Sequence, residues 1–208
     1  MKRVLDACAA GVLLVVLSPV LAILALLVRI DLGSPVFFRQ RRAGQGGQIF
    51  TLDKFRTMRE AASDVSLDQR AAWDGERTSR LGRFLRSYSL DELPELWNVL
   101  IGDMSVVGPR PLLPEYLDRY NETQARRHEI RPGITGWAQV NGRNATSWEE
   151  RFDMDVYYVD HRSLLFDARI LFKSVSTVLS RQGVSSSEGG TMEPFRPTPG
   201  ADNGTSRQ

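Results

Sequence analysis

The sequence is poor in the residues from which many catalytic centres are assembled. It holds one cysteine, Cys8, in 208 residues, which excludes an intramolecular disulfide and any paired-cysteine zinc or redox site. It holds two histidines, His128 and His161. They lie far apart with no ligand-spaced partner, which argues against a histidine metal centre and a Ser-His-Asp triad. Lysine is scarce as well: Lys2, Lys54 and Lys173 are the only ones, and arginine makes up the rest of the 27 basic residues. Arginine is the better fork for phosphate and carboxylate, although a base bias in the gene would produce the same imbalance. No Walker A pattern and no strand-GxGxxG-helix unit occurs, so ATP-cleaving and dinucleotide folds are disfavoured. An excess of one charge is also missing. With 27 basic against 25 acidic residues the net charge is +2, which gives no argument for nucleic acid as a partner. Carboxylates, arginines, backbone amides and an oxygen-bound Mg²⁺ are what remain for chemistry.

Charge is absent altogether from Ala7 to Val28, 22 residues. At about 1.5 Å per residue that length reaches across a bilayer core. A cleaved signal peptide would fit the basic start at Lys2-Arg3, but no small-x-small cleavage site follows Val28. A buried soluble helix would have to hide an unusually long apolar run. A membrane segment is the expected reading. Lys2 and Arg3 precede it, and Arg29, Arg39, Arg41 and Arg42 follow it, so the positive-inside rule wants both ends in the cytoplasm. Ser18-Pro19 falls near the middle, where proline removes a backbone donor and kinks a helix and the serine hydroxyl can bond a freed carbonyl. Each half is too short to cross alone. A re-entrant helix-break-helix fits these facts, with a kinked single-pass helix as the alternative. Asp6, one turn after Lys2 and Arg3, is placed to pair with them at the interface.

The remainder reads as a mostly helical α+β domain. Val36-Phe37-Phe38 and Ile49-Phe50-Thr51-Leu52 flank the turn Gly44-Gln45-Gly46-Gly47, the pattern of a β-hairpin. Residues 60–78 are polar and predict a helix with a loop. Leu81 to Leu100 predicts one or two helices interrupted near Ser87–Ser89. Glu115 to Glu129 predicts one charged helix, and Gly133 to Gly142 a loop with a short strand. Leu165, Phe172, Val175 and Leu179 recur at helical spacing, so residues 164–179 predict an amphipathic helix, packed on the core or lying on a membrane. The expected organisation is a membrane helix over 1–32, a catalytic domain over 33–181 and a disordered tail over 182–208 rich in Ser, Gly, Thr and Pro.

The densest chemistry lies in Ser89-Leu90-Asp91-Glu92-Leu93-Pro94. Ser89 and Glu92 have capping-box spacing; alternatively Asp91 is the N-cap, with Pro94 in the tolerated first turn. Either arrangement sets Asp91 and Glu92 at a helix start, where free amides and the dipole favour anions such as phosphate. A carboxylate beside an electrophilic phosphorus can be a nucleophile, and two adjacent carboxylates can hold Mg²⁺. Simple helix capping explains the same residues. The neighbours favour anion recognition: Arg86 lies just upstream, Arg110 is fixed between Pro109 and Pro111, Arg143 and Asn144 follow Gly142, and Lys54 and Arg56 follow a strand.

These runs resemble one family. Ser89 to Pro94, Gly102-Asp103-Met104-Ser105, Gly108-Pro109-Arg110-Pro111, Arg131-Pro132-Gly133-Ile134-Thr135-Gly136 and Gln139-Val140-Asn141-Gly142-Arg143-Asn144 look like the bacterial sugar transferases, small monotopic phosphoglycosyl transferases. So do Lys2-Arg3-x-x-Asp6 and Ser18-Pro19. The match covers about residues 1–182, and it looks most like the type that uses UDP-N,N′-diacetylbacillosamine. The resemblance implies transfer of a sugar-1-phosphate from a UDP-sugar to undecaprenyl phosphate, with release of UMP and a covalent aspartyl intermediate. Carried over, Asp91 is the nucleophile and Glu92 assists, through Mg²⁺. Lys54, Arg86, Arg110, Arg143 and Asn144 contact substrate, and Lys2 and Arg3 meet lipid phosphates. The implied anchor is a re-entrant helix broken at Ser18-Pro19 in the bacterial inner membrane, with the catalytic domain on the cytoplasmic face. The competing expectation is a membrane-anchored scaffold without catalysis that uses its arginines for anionic lipid.

Overall fold

The structure is a computed structural model and describes residues 1–59, 77–141, 146–179 and 195. The apolar N-terminal run forms two helices, α1 (Lys2–Val16) and α2 (Ser18–Leu32), bent by 65° at their junction. The bend follows from Ser18-Pro19. Pro19 falls in the first turn of α2, where its missing N–H needs no partner. Ser18 Oγ donates to Val15 O at 2.8 Å, satisfying a carbonyl at the end of α1. Among the described residues no single helix is long and apolar enough to cross a membrane.

One side of each helix meets the domain. Ala10 of α1 is buried with Leu52, Leu96, Val99 and Met104. Leu24 and Val28 of α2 are buried with Phe55 and Leu85. The other side is apolar and exposed, through Val12, Val15, Val16, Ile23, Leu26 and Ile30 among others.

The hairpin forms as expected. Strand β1 (Phe37–Ala43) pairs antiparallel with β2 (Ile49–Phe55), from Phe37 opposite Phe55 to Ala43 opposite Ile49. Helix α3 (Arg80–Ser87), a 3₁₀ turn (Leu90–Glu92) and helix α4 (Glu95–Ile101) come next. Asn98 of α4 locks onto β2: its amide donates to Thr51 O at 2.7 Å and its carbonyl accepts from Asp53 N at 3.2 Å.

The short strand expected from Gly133 onward forms, and it belongs to a second sheet that the sequence does not predict. Strand β3 (Ser105–Val107) pairs in parallel with β4 (Gly133–Thr135). This pairing joins two of the glycine motifs. A Cβ on Gly133 would stand 2.1 Å from Gly108 N, and one on Gly136 would stand 2.2 Å from Gly108 O. Backbone touches backbone there, so glycine is a steric requirement.

The charged helix expected over Glu115 to Glu129 is corrected. The segment is a 3₁₀ turn (Pro114–Arg119), a one-turn helix α5 (Glu122–Ala125) and a second 3₁₀ turn (Arg126–Glu129). Asn121 is the cause. With Tyr120 extended before it, Asn121 accepts from Gln124 N and Gln124 bonds back, a capping box that restarts the helix.

Helix α6 (Trp137–Asn141) leads to α7 (Trp148–His161), which sequence reasoning missed; α8 (Leu164–Leu179) is the amphipathic helix expected. Helix α8 buries Asp167 and Ile170 and exposes Leu165, Phe172 and Val175. Of the tail expected over 182–208 only Phe195 is described. It is buried among Tyr116, Tyr120, Trp148 and Phe152. The expected helix and loop over 60–78 lie outside the described residues apart from 77 and 78.

Candidate active site

The 3₁₀ turn carries Asp91 and Glu92, and Glu95 follows in the first turn of α4. Neither capping arrangement expected from the sequence forms. Ser89 makes no side-chain cap, and its backbone is left-handed (φ 55°, ψ 24°). The helix proper starts three residues beyond Glu92, after Pro94. An L-residue at positive φ stores strain. Here that residue sits two before Asp91.

Three elements bring cations to the turn. Lys54 of β2 donates to Glu92 Oε1 at 2.6 Å and lies 3.0 Å from Glu95 Oε1. Arg110, held between its prolines after β3, donates to the same Glu92 oxygen at 2.8 Å. Arg86, near the end of α3, donates to Thr57 Oγ1 at 3.0 Å. Burial alone would raise the Glu92 pKa, but Arg110 and Lys54 outweigh it and hold the carboxyl down to about 2. Glu95 goes the other way. Burial, reinforced by Glu92, lifts it to about 7 despite Lys54.

Asp91 differs from both glutamates. It is 9% exposed, and among the described residues none donates a hydrogen bond or forms an ion pair with its carboxylate. Burial and the neighbouring charge of Glu92 raise its pKa, while Lys54, Arg86 and Arg110 oppose the rise. The turn therefore holds one carboxylate locked to two cations and one left uncommitted within their field.

A cavity of about 620 Å³ opens beside this turn. Ser89 and Glu92, which bracket Asp91 in the chain, line it together with Arg86 and Arg110. Away from them its walls are largely apolar and include Leu13 and Leu17 at the α1–α2 break.

Apart from Ser18 and Pro19 at the helix break, the sequence-selected residues divide into three sets. Lys54, Arg86, Asp91, Glu92 and Arg110 converge. Arg143 and Asn144 lie outside the described residues. Lys2, Arg3 and Asp6 form a separate group that is tied to protein. Lys2 Nζ bonds Asp167 Oδ2 at 2.7 Å and stands 3.5 Å from Asp6. Arg3 donates to Val99 O and Leu100 O at the end of α4. Asp6 accepts from Ser105 Oγ. The expected contact of Lys2 and Arg3 with lipid phosphates thus has a competitor: both side chains fasten α1 to the domain.

Glu95 and the pair Arg127–Asp155 escaped sequence reasoning. Arg127 and Asp155 are 3% and 4% exposed and meet at 2.7 Å. A mid-segment arginine in a charged stretch carries no sign of burial. Asp155 lies on α7, whose one available signal was Ser147 followed by Glu150, the capping box that the structure forms.

A family model described as bacterial sugar transferase matches residues 1–181. The chain belongs to the bacterial sugar transferase family. This transferase is 48% identical to the uncharacterized sugar transferase EpsL of Bacillus subtilis, over 94% of this chain and 95% of that protein. It is 42% identical to a UDP-glucose:undecaprenyl-phosphate glucose-1-phosphate transferase of Caulobacter vibrioides, covering 86% of this chain and 70% of the relative. It is 41% identical to the Escherichia coli protein of the same name, over 84% of this chain but 39% of the relative. The transferase is a sugar-phosphate-transferring enzyme. None of these names carries diacetylbacillosamine, so that subtype gains no support.

The donor set of the transferase suits Mg²⁺ in one form only. Among the described residues no group of three or more His, Cys, Asp or Glu is arranged to hold a metal. Mg²⁺ commonly takes one or two carboxylates and fills its other positions with phosphate oxygens and water. Asp91 has oxygens to give in that way; in Glu92 both Lys54 and Arg110 are on Oε1, and Oε2 is the oxygen it would offer.

Proposed function

We propose that the enzyme moves a sugar-1-phosphate from a UDP-sugar to undecaprenyl phosphate in two steps. Asp91 Oδ attacks the β-phosphorus, the bond from that phosphorus to the bridging oxygen breaks, and UMP leaves with the electron pair. An oxygen of undecaprenyl phosphate then attacks the same phosphorus, and the Asp91–phosphorus bond breaks to regenerate the carboxylate. The observation that carries this reading is the contrast on the turn: Glu92 is held by Lys54 and Arg110, while Asp91 is buried, uncommitted and surrounded by cations.

Each neighbour has a role. Arg86, Arg110 and Lys54 supply positive charge where the diphosphate docks and where charge develops on the leaving phosphate. Glu92, kept ionised, orients Lys54 and Arg110. Arg143 and Asn144 are assigned to substrate by resemblance alone. Mg²⁺ held by Asp91 and Glu92 Oε2 would when bound offset the repulsion between carboxylate and diphosphate. Undecaprenyl phosphate is taken as acceptor because two of the relatives carry it in their names. UDP-glucose is the first donor to test for the same reason.

The acceptor is a lipid, and the bent helix pair supports a membrane-associated enzyme. A continuous exposed apolar face on α1 and α2 is unusual in a water-soluble monomer. We read the pair as re-entrant in the bacterial inner membrane, with both ends and the catalytic domain on the cytoplasmic side.

UMP release from a panel of UDP-sugars, with and without undecaprenyl phosphate, tests the proposal. Release by the wild-type enzyme and none by Asp91→Asn is expected. The absence of UMP with every donor would reject the reading in favour of a lipid-binding scaffold.

A further inference from the structure

The cavity beside the catalytic turn is two-faced. Arg86 and Arg110 line it on the side of the turn; on the side of α1 and α8 it is lined by Leu13, Leu17, Leu171 and Val178, with Ser174 and Thr177 between the last two. A UDP-sugar bears hydroxyls, amide groups and charges along its whole length, and would desolvate most of them here, where leucine and valine predominate and the Ser174 hydroxyl is already bonded to Ile170 O and Thr135 Oγ1. A prenyl phosphate has the matching division, with a single anionic head and a purely apolar chain. Leu13 and Leu171 line the cavity and are also exposed. The apolar end therefore opens between α1 and α8, two elements that expose much apolar surface. A chain dissolved in a bilayer would enter there laterally, without crossing water.

We infer that the first isoprene units of the acceptor bind between the α1–α2 break and α8, against Leu13, Leu17, Leu171 and Val178, with the phosphate directed at Arg86 and Arg110. This rests on the two-step reading above and adds a location for the lipid. A cavity of this volume encloses a ligand of drug-like size. It takes the head and the start of the chain and leaves the rest in the membrane. The same cations serve the donor diphosphate first and the acceptor phosphate second, so UMP must depart before the acceptor docks.

The test uses the full-length enzyme in nanodiscs. Leu171→Trp and Val178→Trp each fill the apolar end. With UDP-glucose alone, both variants should release UMP in a burst of the same amplitude as the wild type. With undecaprenyl phosphate added, the KM for the acceptor should rise roughly tenfold or more, and by a similar factor for a soluble short-chain prenyl phosphate, which keeps the first isoprene units. An unchanged acceptor KM, or loss of the donor-only burst, would overturn the placement. A second measurement needs no variant. A polyprenyl phosphate with a photoreactive group in its first isoprene units should label wild-type peptides containing Leu13 and Leu17 or Leu171 and Val178. Labelling confined to other segments would overturn the placement. A wild-type enzyme without any burst, yet labelled at these peptides, would reject the two-step reading and leave the lipid site standing.

Discussion

Arg127 donates through Nη2 to the backbone carbonyl of Arg110 at 2.7 Å. The same nitrogen bonds Asp155 Oδ2 at 2.7 Å, and the guanidinium lies over the rings of Tyr120 and Phe152. A buried ion pair thus holds the main chain of the residue whose own side chain grips Glu92. The two prolines around Arg110 limit its backbone, and Arg127 fixes what freedom remains.

Asp155→Asn should therefore be costly. It strands the Arg127 charge in the interior, and removing one partner of a buried pair costs about 3–5 kcal/mol. Chemical unfolding in detergent should show the loss, and in the folded fraction the donor KM should rise as Arg110 loosens. An unchanged unfolding midpoint would contradict this account.

Glu95 makes a pH-dependent prediction. Its carboxyl is raised to about 7 in the fold, chiefly by burial, so the folded state binds a proton that the unfolded chain has released. The stability this gives is complete below the ordinary glutamate pKa and is lost as pH rises through about 7. Glu95→Gln mimics the protonated form. It should gain stability over wild type at pH 8 and show no gain at pH 4.5. A difference that stays constant across that range would contradict the assignment. Glu92 has the opposite sign: its contribution is present above the ordinary value and fades as pH falls through about 2.

Ser89 tests the strain before the Asp91–Glu92 turn. Glycine adopts its positive φ at no steric cost, so Ser89→Gly should match or exceed wild-type stability. Ser89→Val puts a β-branched residue in a left-handed conformation, and a cost of about 1–3 kcal/mol is expected. Thermal melts of the two variants would reveal it; equal melts would show that φ at this position is unimportant.

The bent anchor predicts that positions 2 and 40 share one side of the membrane. Cys8 is exposed, so it is first replaced by serine, and single cysteines are then placed at each position. Labelling from one face of sealed vesicles should reach both or neither. Opposite accessibility would replace the re-entrant helix with a kinked span.

Several of these features were legible in the sequence because they are local. The hairpin announces itself by apolar runs around Gly44–Gly47, the bend by Ser18-Pro19, and the cluster of carboxylates and cations by Asp91-Glu92 near constrained arginines. The features that were not legible depend on distant partners. The β3–β4 pairing joins residues nearly thirty apart, and only the backbone approach of Gly108 to Gly133 explains those glycines. Phe195 sits in a stretch of tail composition, and its burial is decided by four aromatic rings elsewhere in the chain. The break at Asn121 was present as a capping residue but hidden by the surrounding helix-favouring charges. Lys2 and Arg3 read as lipid contacts because their acceptors lie far off in sequence: Asp167 on α8 for Lys2, and the carbonyls ending α4, almost a hundred residues away, for Arg3.

The most direct test of the central claim is intact-protein mass spectrometry of the enzyme mixed with UDP-glucose and no acceptor. The wild type should gain the mass of one hexose phosphate, with UMP released in equal amount, and the adduct should disappear when undecaprenyl phosphate is added. Asp91→Asn should gain nothing while remaining folded; Glu92→Gln should form the adduct more slowly, since the attacking oxygen is still there. An adduct on Asp91→Asn, or UMP that appears only with acceptor present, would contradict the account and make direct transfer in a ternary complex the mechanism.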